Sequence, residues 1–223
     1  MSTLDTRPPP LGKALADAAS NQPAHPSHAP TPHKERLAVR HRNSQTLLAY
    51  WNSRRKGEPA PRRTQILPED LGGLLANLFV LRRMDSDHHV FRLAGTGLCR
   101  MHRREFRDQN FLSLWEGHDR EHMRALLEGC LSAPAPASAI AEAVALDSTA
   151  AEVELTMLPL RGPEGFLDRV LGLYQPLGAG LPTLRPIVRH RVSEVRPPCP
   201  PEPSLSFYGQ VEPTERARVA NDG

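Results

Sequence analysis

Two histidines four residues apart, His118 and His122 in His-Asp-Arg-Glu-His, have a spacing that suits metal chemistry. On a helix, positions i and i+4 share a face, which is how two imidazoles reach one ion. The hydrolytic zinc pattern needs Glu directly after the first His, but Asp119 stands there and no third ligand stands out. The pair reads as exposed helix surface, with no metal expected. Gly95-Thr96-Gly97 resembles the start of a phosphate loop. It lacks the further glycine and the Lys-Ser/Thr pair of such loops, and it reads as turn chemistry. His102 sits in a basic stretch and reads as surface. Arg92 is different, because it shares a strand face with Val90 and Ala94, opposite Phe91 and Leu93. An arginine directed into a fold wants a carboxylate. The favoured expectation is a structural pair with Glu152 or Glu154; the alternative is a contact to an anionic ligand. No Ser-His-Asp order, carboxylate pair or nucleophile elbow stands out, so no catalytic residue is assigned.

The elements that would position these residues are organised around Phe79 to Arg104. Two runs of β-formers, Phe79 to Met84 and His88 to Ala94, flank the turn residues Asp85-Ser86-Asp87 and predict a hairpin. A hairpin alone is marginal in water, so other elements must cover its apolar face. Upstream, the spacing predicts a helix from Glu35 to Arg55, stopped by Lys56-Gly57, with Tyr50 and Trp51 anchoring it. A short helix carries Leu71, Leu74, Leu75 and Leu78. Downstream come a basic turn at Leu98 to Arg104, an aromatic connector from Phe106 to Trp115, and a helix from about His118 to Ser132. Three strands follow: Ala137 to Leu146, Glu152 to Leu160 with a clean period of two, and Leu167 to Gln175. Ile187 to Val195 reads as one further strand or a helical turn. The expected class is α+β, a five-stranded antiparallel sheet with helices on one face and a flanking N-terminal helix.

Composition bounds the rest. The 223 residues include 23 prolines crowded toward the ends, which predicts disordered tails at 1–33 and 181–223 around a domain at 34–180, with its flanking helix at 34–56. Leu205 to Val211 is at most a short sticky motif. No apolar run approaches the roughly 20 residues of a membrane span. The absence of a signal peptide predicts a cytoplasmic protein, and Cys99, Cys130 and Cys199 predict reduced thiols. The net charge is +3, and the basic excess concentrates at residues 34–63, where Arg36, Arg40, Arg42, Arg54, Arg55 and Lys56 lie. Such a patch suits nucleic acid, an acidic partner or anionic lipid, and the favoured reading is a solvated helix face.

The phrases Leu48-Ala49-Tyr50-Trp51, Phe91-Arg92-Leu93-Ala94-Gly95-Thr96, Leu114-Trp115, Leu158-Pro159-Leu160 and Arg169-Val170-Leu171-Gly172 resemble a PAS-like family common in alphaproteobacteria. The resemblance spans about residues 37 to 177. It implies a sensory or interaction module whose sheet and helices enclose a small cavity, and whose flanking helix mediates dimerisation. Tyr50, Trp51, Gly95, Thr96, Pro159 and Gly172 are the structural residues it marks. Phe91, Arg92, Trp115 and Met157 are the ligand-contact candidates. The resemblance names no cofactor: the light-sensing cysteine phrase of flavin-binding members is not matched around Cys99, and haem through His102 is not favoured. The expected function is non-catalytic signalling through a ligand, a protein partner and a homodimer. The rival readings are a nucleic-acid-associated regulator using residues 34–63, and a small enzyme on an α+β cavity fold.

Overall fold

The computed structural model describes residues 37–178 and 185–200. The N-terminal tail expectation and Leu205 to Val211 fall outside them. The predicted hairpin forms from β1 (Leu78–Arg83) and β2 (His89–Ala94). Asp85 closes its turn: Oδ1 accepts the Asp87 amide at 2.8 Å, and the His88 ring lies 2.8 Å away. After α2 (Thr96–His102), a 3-10 turn at Phe111–Leu114 and α3 (Gly117–Ser132) come β3 (Ala137–Ala145), β4 (Ala150–Arg161), β5 (Leu167–Pro176) and β6 (Ile187–Arg196). The strands pair antiparallel in the order β2-β1-β5-β4-β3-β6.

The sheet therefore has six strands rather than five, and the sixth comes from residues assigned to the C-terminal tail. It pairs with β3 from Ser138 opposite Arg196 to Ala145 opposite Ile187, with two register shifts. The reason lies in β3. Ala137, Ala139, Ala141 and Ala143 are buried but small, and cover little on their own. β6 supplies the missing ladder and brings Ile187, His190 and Val192 over the core. Its charges hid this alternation, because Arg189 and Arg191 face solvent on either side of buried His190.

Strand alternation divides the apolar residues into two cores. One face carries Phe79, Leu81, Val153, Leu155, Met157, Val170 and Tyr174 against Leu98 of α2 and Met123 and Leu127 of α3. The other carries Val80, Leu158, Leu160, Leu171 and Leu173. The core helices cover the first face as expected, and the flanking helix α1 (Arg42–Arg55) covers the second with Leu47 and Trp51. Ile66, Leu71 and Leu74, from loop and 3-10 turns, complete that layer.

The flanking helix begins at Arg42, seven residues later than its spacing predicts. The buried Glu154 carboxylate explains the delay: it accepts the amides of Arg40 at 2.6 Å and His41 at 3.0 Å. Those donors are spent on the sheet, so the chain stays extended until the His41 ring caps Asn43 at 3.0 Å. Trp51 is fully buried, and its Nε1–H donates to Pro159 O at 2.8 Å. Tyr50 Oη accepts the Leu67 amide at 3.0 Å and donates to Asp70 at 3.0 Å. Pro159 is tolerated because β3 begins opposite Met157, leaving β4 beyond that point with β5 as its ladder partner.

Gly95 earns its place through close approach, since its backbone φ of −66° suits any residue. A methyl group there would overlap the carbonyls of Leu75 and Ala76, and one at Gly97 would meet Asn77 and Ala76. The Gly-Thr-Gly phrase lets α2 seat directly on the 3-10 turn at Gly72–Asn77.

Candidate functional site

The inner core, between the sheet and α2, the connector and α3, brings together most of the expected contact residues. Phe91, Trp115 and Met157 are all buried there. Phe91 packs 4.8 Å from Phe106 and 5.7 Å from Phe111, centroid to centroid, and Trp115 lies 6.1 Å from Phe111. Asn110 pins the connector above them. Its Oδ1 accepts the amides of His89 and Leu112, each at 3.1 Å, and its Nδ2 donates to Asp87 O at 2.7 Å. Sequence reasoning passed over Asn110, although an Asn just before an apolar turn is a capping signal.

Arg92 does not join this group. It is exposed and pairs with Asp108 at 2.6 Å, not with Glu152 or Glu154. Its strand is at the sheet edge, and the connector passes alongside, with Phe91 bonding the Gln109 carbonyl and the Asp108 amide. That contact places Asp108 beside Arg92. Exposed pairs contribute about 0–1 kcal/mol, so Arg92→Ala is expected to change unfolding stability by no more than about 0.5 kcal/mol. A denaturant titration showing a loss above about 2 kcal/mol would contradict this placement.

His102 is the opposite correction, for it is buried rather than on the surface. Its Nδ1–H donates to Leu98 O at 3.0 Å, one turn back on α2. The ring stacks on His190 from β6, with centroids 5.3 Å apart and planes 25° apart. Tyr174 Oη lies 2.9 Å from His190 Nε2, and Trp115 packs 5.1 Å from the His190 ring. Burial drives the His102 pKa down to about 4 and that of His190 down to about 3, with the Arg104 charge adding to both. Burial also raises the Tyr174 phenol. All three groups are therefore neutral near pH 7, and the phenol donates to His190 Nε2.

This cluster leaves polar atoms unmet. His102 Nε2, Trp115 Nε1 and His190 Nδ1 are buried without a hydrogen-bond partner. His102 Nε2 is an acceptor and Trp115 Nε1–H a donor, so a donor group of a water or ligand suits the first and an acceptor group the second. The sequence signal for His190 was present in its alternation with Val192, but it is legible only once Ile187–Arg196 is read as a strand.

A second buried histidine site joins the hairpin to α3. Glu128 forms a bidentate pair with Arg83 at 2.7 and 2.9 Å, and lies 3.0 Å from Nε2 of the buried His89. The Arg83 guanidinium holds the Glu128 carboxyl below its usual range. His118 and His122 are exposed on α3. Cys99 is half-buried, packed against the edge of the inner core and bordering a surface cleft with Arg100, Arg103 and Arg104. Several charges of the basic N-terminal segment are engaged within the domain: Arg40 with Glu152 and Glu194, Arg54 with Asp70, and Arg55 with Asn52 and the Glu58 carbonyl.

A family model described as PAS domain matches residues 39–175, more than half of the chain. The chain belongs to the PAS-domain family. β6 and its His190 lie beyond the matched residues of this PAS domain. Among solved structures, the chain is similar to a light-oxygen-voltage domain studied with a flavin analogue, at 16% identity and TM-score 0.40 over 49% of this chain and 83% of that one. It is similar to the PAS domain of a Colwellia psychrerythraea protein at 11% identity and TM-score 0.39, covering 49% and 95%. The Rhodobacter sphaeroides light-oxygen-voltage protein matches at 18% identity and TM-score 0.39, covering 47% and 61%. No curated protein matches the chain. No helix among the described residues is long and apolar enough to cross a membrane.

Proposed function

We propose that this PAS domain is a non-catalytic sensory and interaction module of bacterial, by resemblance alphaproteobacterial, signalling. In this reading it acts in the cytoplasm, binds a small ligand or a protein partner, and dimerises through its flanking helix. Phe91, Trp115 and Met157, with the unmet polar atoms of His102 and Trp115, form the ligand contacts; Arg92 is not among them. The supporting observation is that the same strands serve both cores. Within β4, Met157 points into the inner core while Leu158 packs beneath α1, and Pro159 O accepts the Trp51 indole. Repacking around Met157 therefore shifts the surface on which α1 rests, which gives a ligand a two-state element to bias.

Light scattering and native mass spectrometry of the full chain test this reading. A dimer mass is expected, with any tightly held ligand appearing as added mass. Ala49 is exposed on α1, away from Leu47 and Trp51. Ala49→Glu is expected to give a monomer while unfolding stability stays within about 0.5 kcal/mol. A wild-type monomer, or a variant with unchanged dimer mass, would remove α1 as the dimerisation element.

A further inference from the structure

Ala94, Thr96, Cys99, Arg100, Arg103, Arg104 and Glu105 line an open cleft of about 470 Å³ on the outside of α2. That volume falls within the roughly 300–1,000 Å³ of small-molecule sites. Its walls carry three guanidinium groups against the one carboxylate of Glu105, whose Oε2 takes the Cys99 thiol at 3.7 Å. Elsewhere guanidinium groups hold acids: Arg40 with Glu152 and Glu194, Arg83 with Glu128, Arg92 with Asp108, and Arg161 with Glu58. Arg100 and Arg104 form no ion pair with a carboxylate among the described residues. Arg104 is oriented instead by the Phe106 ring, 4.7 Å from its guanidinium carbon.

We propose that this cleft binds a small phosphorylated ligand with two or more negative charges, held by Arg100 and Arg104. Planar guanidinium forks match phosphate oxygens in pairs, and a fork already held against a ring loses less freedom on binding. An extended nucleic acid suits the site less well. It draws on a row of unpaired cations, whereas Arg92 and Arg107 on the neighbouring strand and connector already face Asp108. The site stands outside the inner core and does not depend on the dimerisation reading. It is nonetheless coupled to that core: the Arg104 charge disfavours protonation of both His102 and His190, so an anion there weakens that field.

The test is calorimetric titration of the full chain with inorganic pyrophosphate at pH 7.5, against sulfate at matched ionic strength. Saturable binding of pyrophosphate and weaker binding of sulfate are expected. Losing two charge-assisted contacts in Arg100→Gln/Arg104→Gln should weaken affinity by at least about tenfold. Arg189→Gln, an exposed β6 control outside the cleft, should leave it unchanged. Should the double variant fail to fold, Arg100→Gln alone carries the test, with about a threefold loss expected. The proposal fails if pyrophosphate gives no saturable heat, if it binds no better than sulfate, or if Arg189→Gln loses as much affinity as the cleft variants. It also fails if a short single-stranded oligonucleotide binds in an arginine-dependent way while pyrophosphate does not, since the surface would then serve nucleic acid.

Discussion

Stability should fall as pH drops below about 6.5, well before the carboxylates titrate. His102 and His190 have folded pKa values near 4 and 3, against an ordinary value of 6.5. Both shifts are downward, so the unfolded chain binds protons first as the pH falls. The stabilisation is complete above pH 6.5 and is lost progressively below it, until the folded pKa values are reached. Each proton contributes about 1.4 kcal/mol per pH unit across that window. The two together amount to an order of 4 kcal/mol at pH 5, a large part of a typical stability of about 5–15 kcal/mol. Denaturant titrations at pH 7.5, 6 and 5 measure this directly. His190→Gln keeps a side chain able to accept the Tyr174 hydroxyl but cannot titrate, so it should lower the slope, leaving the shares of His102 and of His89, whose pKa burial also depresses. A flat profile from pH 7.5 to 5, or an undiminished slope in His190→Gln, would show that the stacked pair is not held neutral by the fold.

The second large effect is expected at Gly172. It faces Phe79 across the β1–β5 ladder and Met157 across the β4–β5 ladder. A methyl group at Gly172 would overlap the Cζ and Cε atoms of the Phe79 ring. That ring is fully buried and packs 5.8 Å from Phe91 and 5.6 Å from Phe111, so it cannot step aside without disturbing both. Overpacking of this kind costs about 1–3 kcal/mol, occasionally more, and the upper end is expected for Gly172→Ala. The partner variant separates overlap from a general backbone effect. Phe79→Leu removes the ring edge, so Gly172→Ala should cost at least about 1 kcal/mol less in that background. A stability within about 0.5 kcal/mol of wild type for Gly172→Ala alone would refute the account.

Both effects bear on how far local pattern reaches. The hairpin was legible because Asp85-Ser86-Asp87 makes its own turn from adjacent atoms. Glycine in the Arg169 to Gly172 phrase was legible as a marked residue, but the ring that requires it comes from a strand 93 positions earlier. Arg92 misled for the same reason. Alternation set its face relative to Phe91, whereas its partner Asp108 arrives by way of the connector. The helix start at Arg42 turned on Glu154, a carboxylate 113 residues beyond the amide it caps at His41.

Sequence alone determined the order of most elements, the turn residues between them and the PAS resemblance, because these depend on neighbours along the chain and on two short periods. Tertiary structure decided what covers each face of the sheet, for a buried strand is apolar on both sides whichever helix lies above it. It also decided that Ile187–Arg196 is a strand, since the ladder it completes belongs to alanine-rich β3. That pairing carries His190 into the core beside His102, where loss of water rather than residue type sets their chemistry.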